Sequence, residues 1–123
     1  MAKAFSQRKL DGLRREWQKL LRLQDWKITA KFVNSDEIAE DRVGECNHLA
    51  EAREADINIL LPSSDEVVTE RDQDVENTLV HELLHCHFAP FRDEDRAVVV
   101  QHEQAIEAIT EALLVLKRKK GKN

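Results

Sequence analysis

The stretch Trp26-Lys27-Ile28-Thr29-Ala30-Lys31-Phe32-Val33 decides the fold class. Trp26, Ile28, Ala30 and Phe32 alternate with Lys27, Thr29 and Lys31, and a period of two is the pattern of a strand with one buried face. The residues before it read differently. Ser6 is a good helix N-cap, and Leu10, Leu13, Trp17, Leu20 and Gln24 follow at spacings of three and four, with basic side chains mostly around the sides. A helix over residues 6–23 therefore feeds the strand.

After the strand, residues 43–49 read as a second strand. Residues 55–61 read more clearly as a third, because Ala55, Ile57, Ile59 and Leu61 share a face and Pro62-Ser63-Ser64-Asp65 ends the run. Asp72 or Asp74 caps a helix over residues 75–89, which Pro90 stops. A last helix starts near Asp93, carries Glu94 and Asp95 in its first turn, and continues to about residue 117. The order α-β-β-β-α-α predicts a small α+β domain, with a short, mostly antiparallel sheet of about three strands and about three helices on one side.

The 123 residues suffice for one domain over 1–123 and one hydrophobic core. Leu, Ile, Val and Phe make up about 28% of the chain, above the roughly 20% below which chains of high net charge stay disordered. Three Gly and two Pro exclude collagen-like and turn-dense sandwich architectures. The net charge of −5 is the wrong sign for a nucleic-acid-binding domain. The one dense basic run, Lys117-Arg118-Lys119-Lys120, reads as a solvated helix end that complements the helix dipole. No run of 18 apolar residues suggests a membrane span, and residues 1–10 lack an apolar signal core. Cys46 and Cys86 cannot form a disulfide framework and read as small buried side chains. A cytoplasmic setting is the expectation.

The informative segment is His81-Glu82-Leu83-Leu84-His85, an H-E-x-x-H pattern inside a stretch already read as helical. In a chain with 5 His a chance match is about a 2% event. Imidazoles four residues apart lie one turn above the other, so their nitrogens can converge on one zinc ion. Glu82 projects about 100° round the helix from His81, where it can sit beside an open metal position and act as general base toward a metal-activated water. Asn77, Thr78, His81 and His85 form a polar strip; Val75, Leu79, Leu83 and Cys86 form the core side.

A zinc site with one open position needs a third protein ligand. On the last helix Glu103 and Glu107 fall in the same sector as Val99, Val100, Ile106, Thr110 and Leu114, and a carboxylate in an apolar stripe seeks a partner. Glu103 is the expected ligand and Glu107 the acceptor of a ring N–H from a ligating histidine. The reverse order and His102 are the alternatives. His87 points away from the ligand face, and His48 could approach from the sheet.

With these residues the chain resembles the gluzincin type of zinc metallopeptidases. In size it is similar to minigluzincins and to compact metallopeptidases of phages and prophages. The resemblance implies a zincin-like domain that hydrolyses a peptide or protein substrate with Zn2+ as cofactor, His81, His85 and Glu103 as ligands and Glu82 moving the proton. It also implies a strand beside the cleft, with residues 55–61 as the candidate, that binds an extended peptide by strand addition. Many zincins hold the oxyanion with Tyr or His. Tyr is absent from this chain, which leaves His48, His102, Arg42 or Arg53 for that task. A Cys46 thiolate on the zinc would silence the site. The competing reading is a catalytically silent zinc-binding interaction or regulatory domain; neither nucleic acid nor membrane is an expected partner.

Overall fold

In a computed structural model the chain orders as α1 (Gln7–Leu20), β1 (Lys27–Val33), β2 (Gly44–Leu49), β3 (Glu54–Leu60), α2 (Val68–Phe88) and α3 (Arg96–Gly121). The described residues are 6–39, 42–61, 68–91 and 95–121. The Ser6 hydroxyl caps α1 by accepting from the Lys9 N–H at 3.0 Å. The helix ends at Leu20, short of residue 23, because Arg22 adopts a left-handed φ of 61° and the Leu23 N–H returns to the Gln18 carbonyl at 2.8 Å. The buried Gln18 amide then donates to the carbonyls of Leu23 and Trp26, at 2.9 and 2.7 Å, and so shapes the turn into β1.

The strand order is β1-β3-β2. β3 is central, parallel to β1 and antiparallel to β2. The α+β class is as expected, but the sheet is mixed rather than mostly antiparallel. Two chain reversals, the segment after β1 and the β2–β3 hairpin, lie between β1 and β3, so these two run the same way. Register aligns Ala55 with Ile28 and His48, Ile57 with Ala30 and Cys46, and Ile59 with Phe32 and Gly44. Ile28, Ala30, Ala55, Ile57 and Ile59 of this face are buried, and the other face carries polar pairs such as Asn58 donating to Glu45 at 2.9 Å.

Helix α2 packs on the apolar face through Leu79, Leu83 and Cys86, and α3 packs on α2 through Ile106, Thr110 and Leu114. Val80 and Leu84 are buried too, so α2 is enclosed round most of its circumference. Residues 68–74 are already helical, so neither Asp72 nor Asp74 is the cap. Pro90 lies in a 3-10 turn directly after α2, where its ring stops the α-helix. Asp95 caps α3 by accepting from the Ala97 N–H at 2.9 Å, and α3 continues past residue 117 to Gly121. The expectations for residues 62–65 and for Asp93 and Glu94 fall outside the described residues.

The basic end of α3 departs from a solvated helix end. Lys117 Nζ donates to Glu76 at 2.6 Å and to Glu16 at 3.1 Å and lies 4.9 Å from the Trp17 ring centre. Trp17 Nε1 donates to the same Glu76 oxygen at 2.7 Å, and Arg118 adds an ion pair at 3.6 Å. Three helices thus meet on one carboxylate. Burial opposes the Glu76 charge, but Lys117, the Trp17 N–H and Arg118 outweigh it and hold the carboxyl below its usual range. A depressed carboxyl pKa contributes stability above the unfolded value of 4.5 that is lost as pH falls through the folded value. Glu76→Gln is expected to cost about 1–3 kcal/mol at pH 7. Thermal melts from pH 7 to pH 3 should show the difference from wild type shrinking toward acid.

Candidate metal centre

His81 and His85 stand on successive turns of α2, with ring centres 5.4 Å apart. Across from them, α3 presents Glu103. Its Oε2 lies 3.2 Å from His81 Nε2 and its Oε1 lies 2.9 Å from His85 Nε2. Each of the three residues offers a ligand atom, and these atoms lie within 4.8 Å of one another. Ligands about 2.1 Å from a tetrahedral ion are roughly 3.3 Å from each other, close to the two distances between Glu103 and the histidines. Both rings turn Nε2 inward. Burial pulls the His85 ring pKa down; Glu103 opposes that, while His81, His48 and Arg42 add to it. A neutral imidazole keeps the lone pair that a metal requires. These three residues could hold a metal ion.

Glu82 is not in the trio. It is only 7% exposed and stands 4.0 Å from His85 Nε2, beyond hydrogen-bond reach. Burial, then the charges of Glu103 and Glu45, push its carboxyl up to about 8, with Arg42 opposing. Beside it lies Gly44, a residue not singled out in the sequence. A Cβ at Gly44 would lie 2.4 Å from Thr78 Cγ2 and 3.1 Å from Glu82 Oε2. β2 therefore crosses α2 closely enough to bury Glu82 against the strand. A lone glycine inside a strand, which can mark a close backbone approach, was the available signal.

The other candidates divide. Glu107 is exposed and is not brought to the cluster. The buried line of α3 runs through Ile106, Thr110 and Leu114 with Glu103 beside it, and one further turn carries residue 107 outward. Val99 and Val100, expected in the stripe, are also exposed. His102 packs against Phe88 with ring centres 5.3 Å apart instead of joining the trio. His87 donates to the Leu21 carbonyl at 2.6 Å. Arg53 sits at the β2–β3 turn paired with Asp25. Hydrogen bonding with Cys86, then burial, push the Cys46 thiol above its usual range, so it stays a thiol.

Two adjoining cavities share Cys46, His85, Val99 and Glu103. The smaller, about 600 Å³, is also lined by Arg42, Gly44, Thr78, His81 and Glu82. The larger, about 990 Å³, adds His48, Leu49, Phe88 and His102. β2 runs along both halves of this groove, from Gly44 in the smaller to Leu49 in the larger, which also takes in Lys27 and Thr29 of β1 and Glu54, Ala55 and Asp56 of β3; His85 and Glu103 line both cavities and His81 the smaller. β3, expected beside the cleft, lines the larger cavity at Glu54, Ala55 and Asp56, but it is central with both edges paired and has no edge left for strand addition. The edge strand at the groove is β2.

Neither a protein-family model, nor a curated protein, nor a solved structure matches the chain. The functional reading therefore rests on the residues and their geometry. Among the described residues no helix is long and apolar enough to cross a membrane.

Proposed function

We propose that the chain is a zinc-dependent peptidase in which His81, His85 and Glu103 hold one ion and Glu82 moves the proton. One observation carries this reading: a buried carboxylate, Glu82, stands 4.0 Å from His85 Nε2 and is not one of the three grouped ligands. Burying an unneutralised carboxylate is costly, and a purely structural metal site has no use for one.

A zinc ion bound by the trio would polarise a substrate carbonyl and make water acidic enough to attack near neutral pH. Glu82 accepts the proton of the attacking water and returns it to the leaving amine, a task suited to a carboxyl with raised proton affinity. The outer edge of β2 offers backbone donors and acceptors to an extended peptide lying in the groove, which fixes the scissile bond over the trio.

The test is zinc per chain in wild type, Glu103→Ala and Glu107→Ala, followed by digestion of a peptide library by the zinc-loaded protein. Near one zinc is expected in wild type and Glu107→Ala, and a small fraction of that in Glu103→Ala. Retention in Glu103→Ala with loss in Glu107→Ala would move the third ligand. A wild type that takes up no zinc on titration overturns the proposal. A zinc protein that cleaves nothing in the library would favour the silent binding domain.

A further inference from the structure

We infer that Arg42 makes this groove selective for substrates that carry a carboxylate on the Arg42 side of the metal centre, either as an acidic side chain or as the peptide's own C-terminus. The inference rests on the peptidase reading of the groove and deepens it.

Arg42 stands just before β2, and its backbone N–H is held by the Ala39 carbonyl at 3.0 Å. Its side chain lines the smaller half of the groove with His81, Glu82 and Glu103, and among the described residues lining that half there is no other Arg or Lys.

Arg53 holds Asp25 and Arg118 holds Glu76. Arg42 is exposed and has no ion pair with a described residue. The carboxyl groups that line this half of the groove with it are Glu82 and Glu103. A peptide carboxylate would meet repulsion in this half of the groove without Arg42. With Arg42 it meets a planar fork of N–H donors that matches its two oxygens. Strand spacing sets where that carboxylate falls. Cys46, shared by both halves of the groove, lies four residues beyond Arg42, roughly 13 Å of strand. The reach of the arginine side chain shortens this, which places the carboxylate within about three residues of the scissile bond.

The test uses binding to the zinc-loaded full chain, so it does not need turnover. Two series of short peptide hydroxamates carry the zinc-binding group at the C-terminal or the N-terminal end, so that the peptide extends either way along the groove. Each series places Asp, Asn or Lys one to three residues away, and the second is made with free and amidated C-termini. In one series the Asp or free-carboxylate probe is expected to bind about fivefold more tightly than its Lys or amidated counterpart, with the gain shrinking at high salt. Arg42→Glu should invert the preference and Arg42→Gln should abolish it, with zinc content near one per chain in both. Preference for Asp over Asn identifies the side chain as the source; loss of preference on amidation identifies the C-terminus. Equal binding of Asp, Asn and Lys probes in both series, or a preference that survives Arg42→Glu, overturns the inference and leaves the peptidase reading standing. Failure of every hydroxamate to bind overturns both.

Discussion

Zinc-loaded Glu82→Gln is expected to keep about one zinc per chain and to lose peptide hydrolysis by about a hundred- to ten-thousandfold. Glutamine has the shape of glutamate but cannot take a proton, so the substitution separates proton transfer from metal binding. A second readout comes from the metal-free protein. The Glu82 carboxyl is pushed up to about 8 in the fold, against 4.5 when unfolded. Between those values the folded chain keeps a proton that the unfolded chain has released, so stability falls as pH rises through this window. Metal-free Glu82→Gln should therefore melt higher than metal-free wild type at pH 8, and the gap should close toward pH 5. Zinc should narrow the gap at pH 8, because a nearby divalent charge favours the carboxylate. Thermal melts at the two pH values, with and without zinc, give all four numbers. Full hydrolysis by Glu82→Gln removes this residue from the proton role. Equal melting of the two proteins at pH 8 means that Glu82 is solvated and contributes no such strain.

What could be read from the sequence was local. Ser6 announces α1 because capping is decided within one turn, and the alternation from Trp26 to Phe32 announces β1 because the pleat repeats every two residues. His81 and His85 are placed by helical spacing alone, and Glu103 is singled out as a carboxylate within an apolar stripe, although Val99 and Val100 of that stripe are exposed. What could not be read depends on partners distant in sequence. The parallel pairing of β1 with β3 follows from how two reversals fold back in space. Glu107 shares its wheel sector with Glu103, and only the rotation of α3 against α2 decides which of them meets the histidines. Lys117 looked like one more cation in a solvated tail until α1 and α2 brought Trp17, Glu16 and Glu76 to it. The assignment of the groove strand turned on the same point: alternation marks a buried face and not a place in the strand order, and pairing alone makes β3 central and leaves β2 at the edge among the described residues.

Gly44→Ala is expected to lower the melting temperature by about 5–10 °C, an overpacking cost of about 1–3 kcal/mol. The cause is space and not backbone conformation, since no glycine of the described chain has a positive φ. The nearest atom to the added methyl would be Thr78 Cγ2 at 2.4 Å. That atom belongs to a β-branched side chain on a helix, which has few rotamers into which to retreat. Thr78→Ser removes it and leaves Glu82 Oε2, at 3.1 Å, as the remaining close neighbour. The double variant Gly44→Ala/Thr78→Ser should therefore recover most of the lost stability, with a coupling energy of about 1 kcal/mol or more in a double-mutant cycle. Hydrolysis should recover less, because the methyl still presses on the carboxylate proposed to move the proton. A melting temperature restored while activity stays low would locate the function of Gly44 in the placement of Glu82. If Gly44→Ala costs the same stability in the Thr78→Ser background as in wild type, the clash is being relieved elsewhere and β2 is free to shift away from α2. In that case the burial of Glu82, and with it the raised proton affinity of the site, cannot depend on the contact between strand and helix.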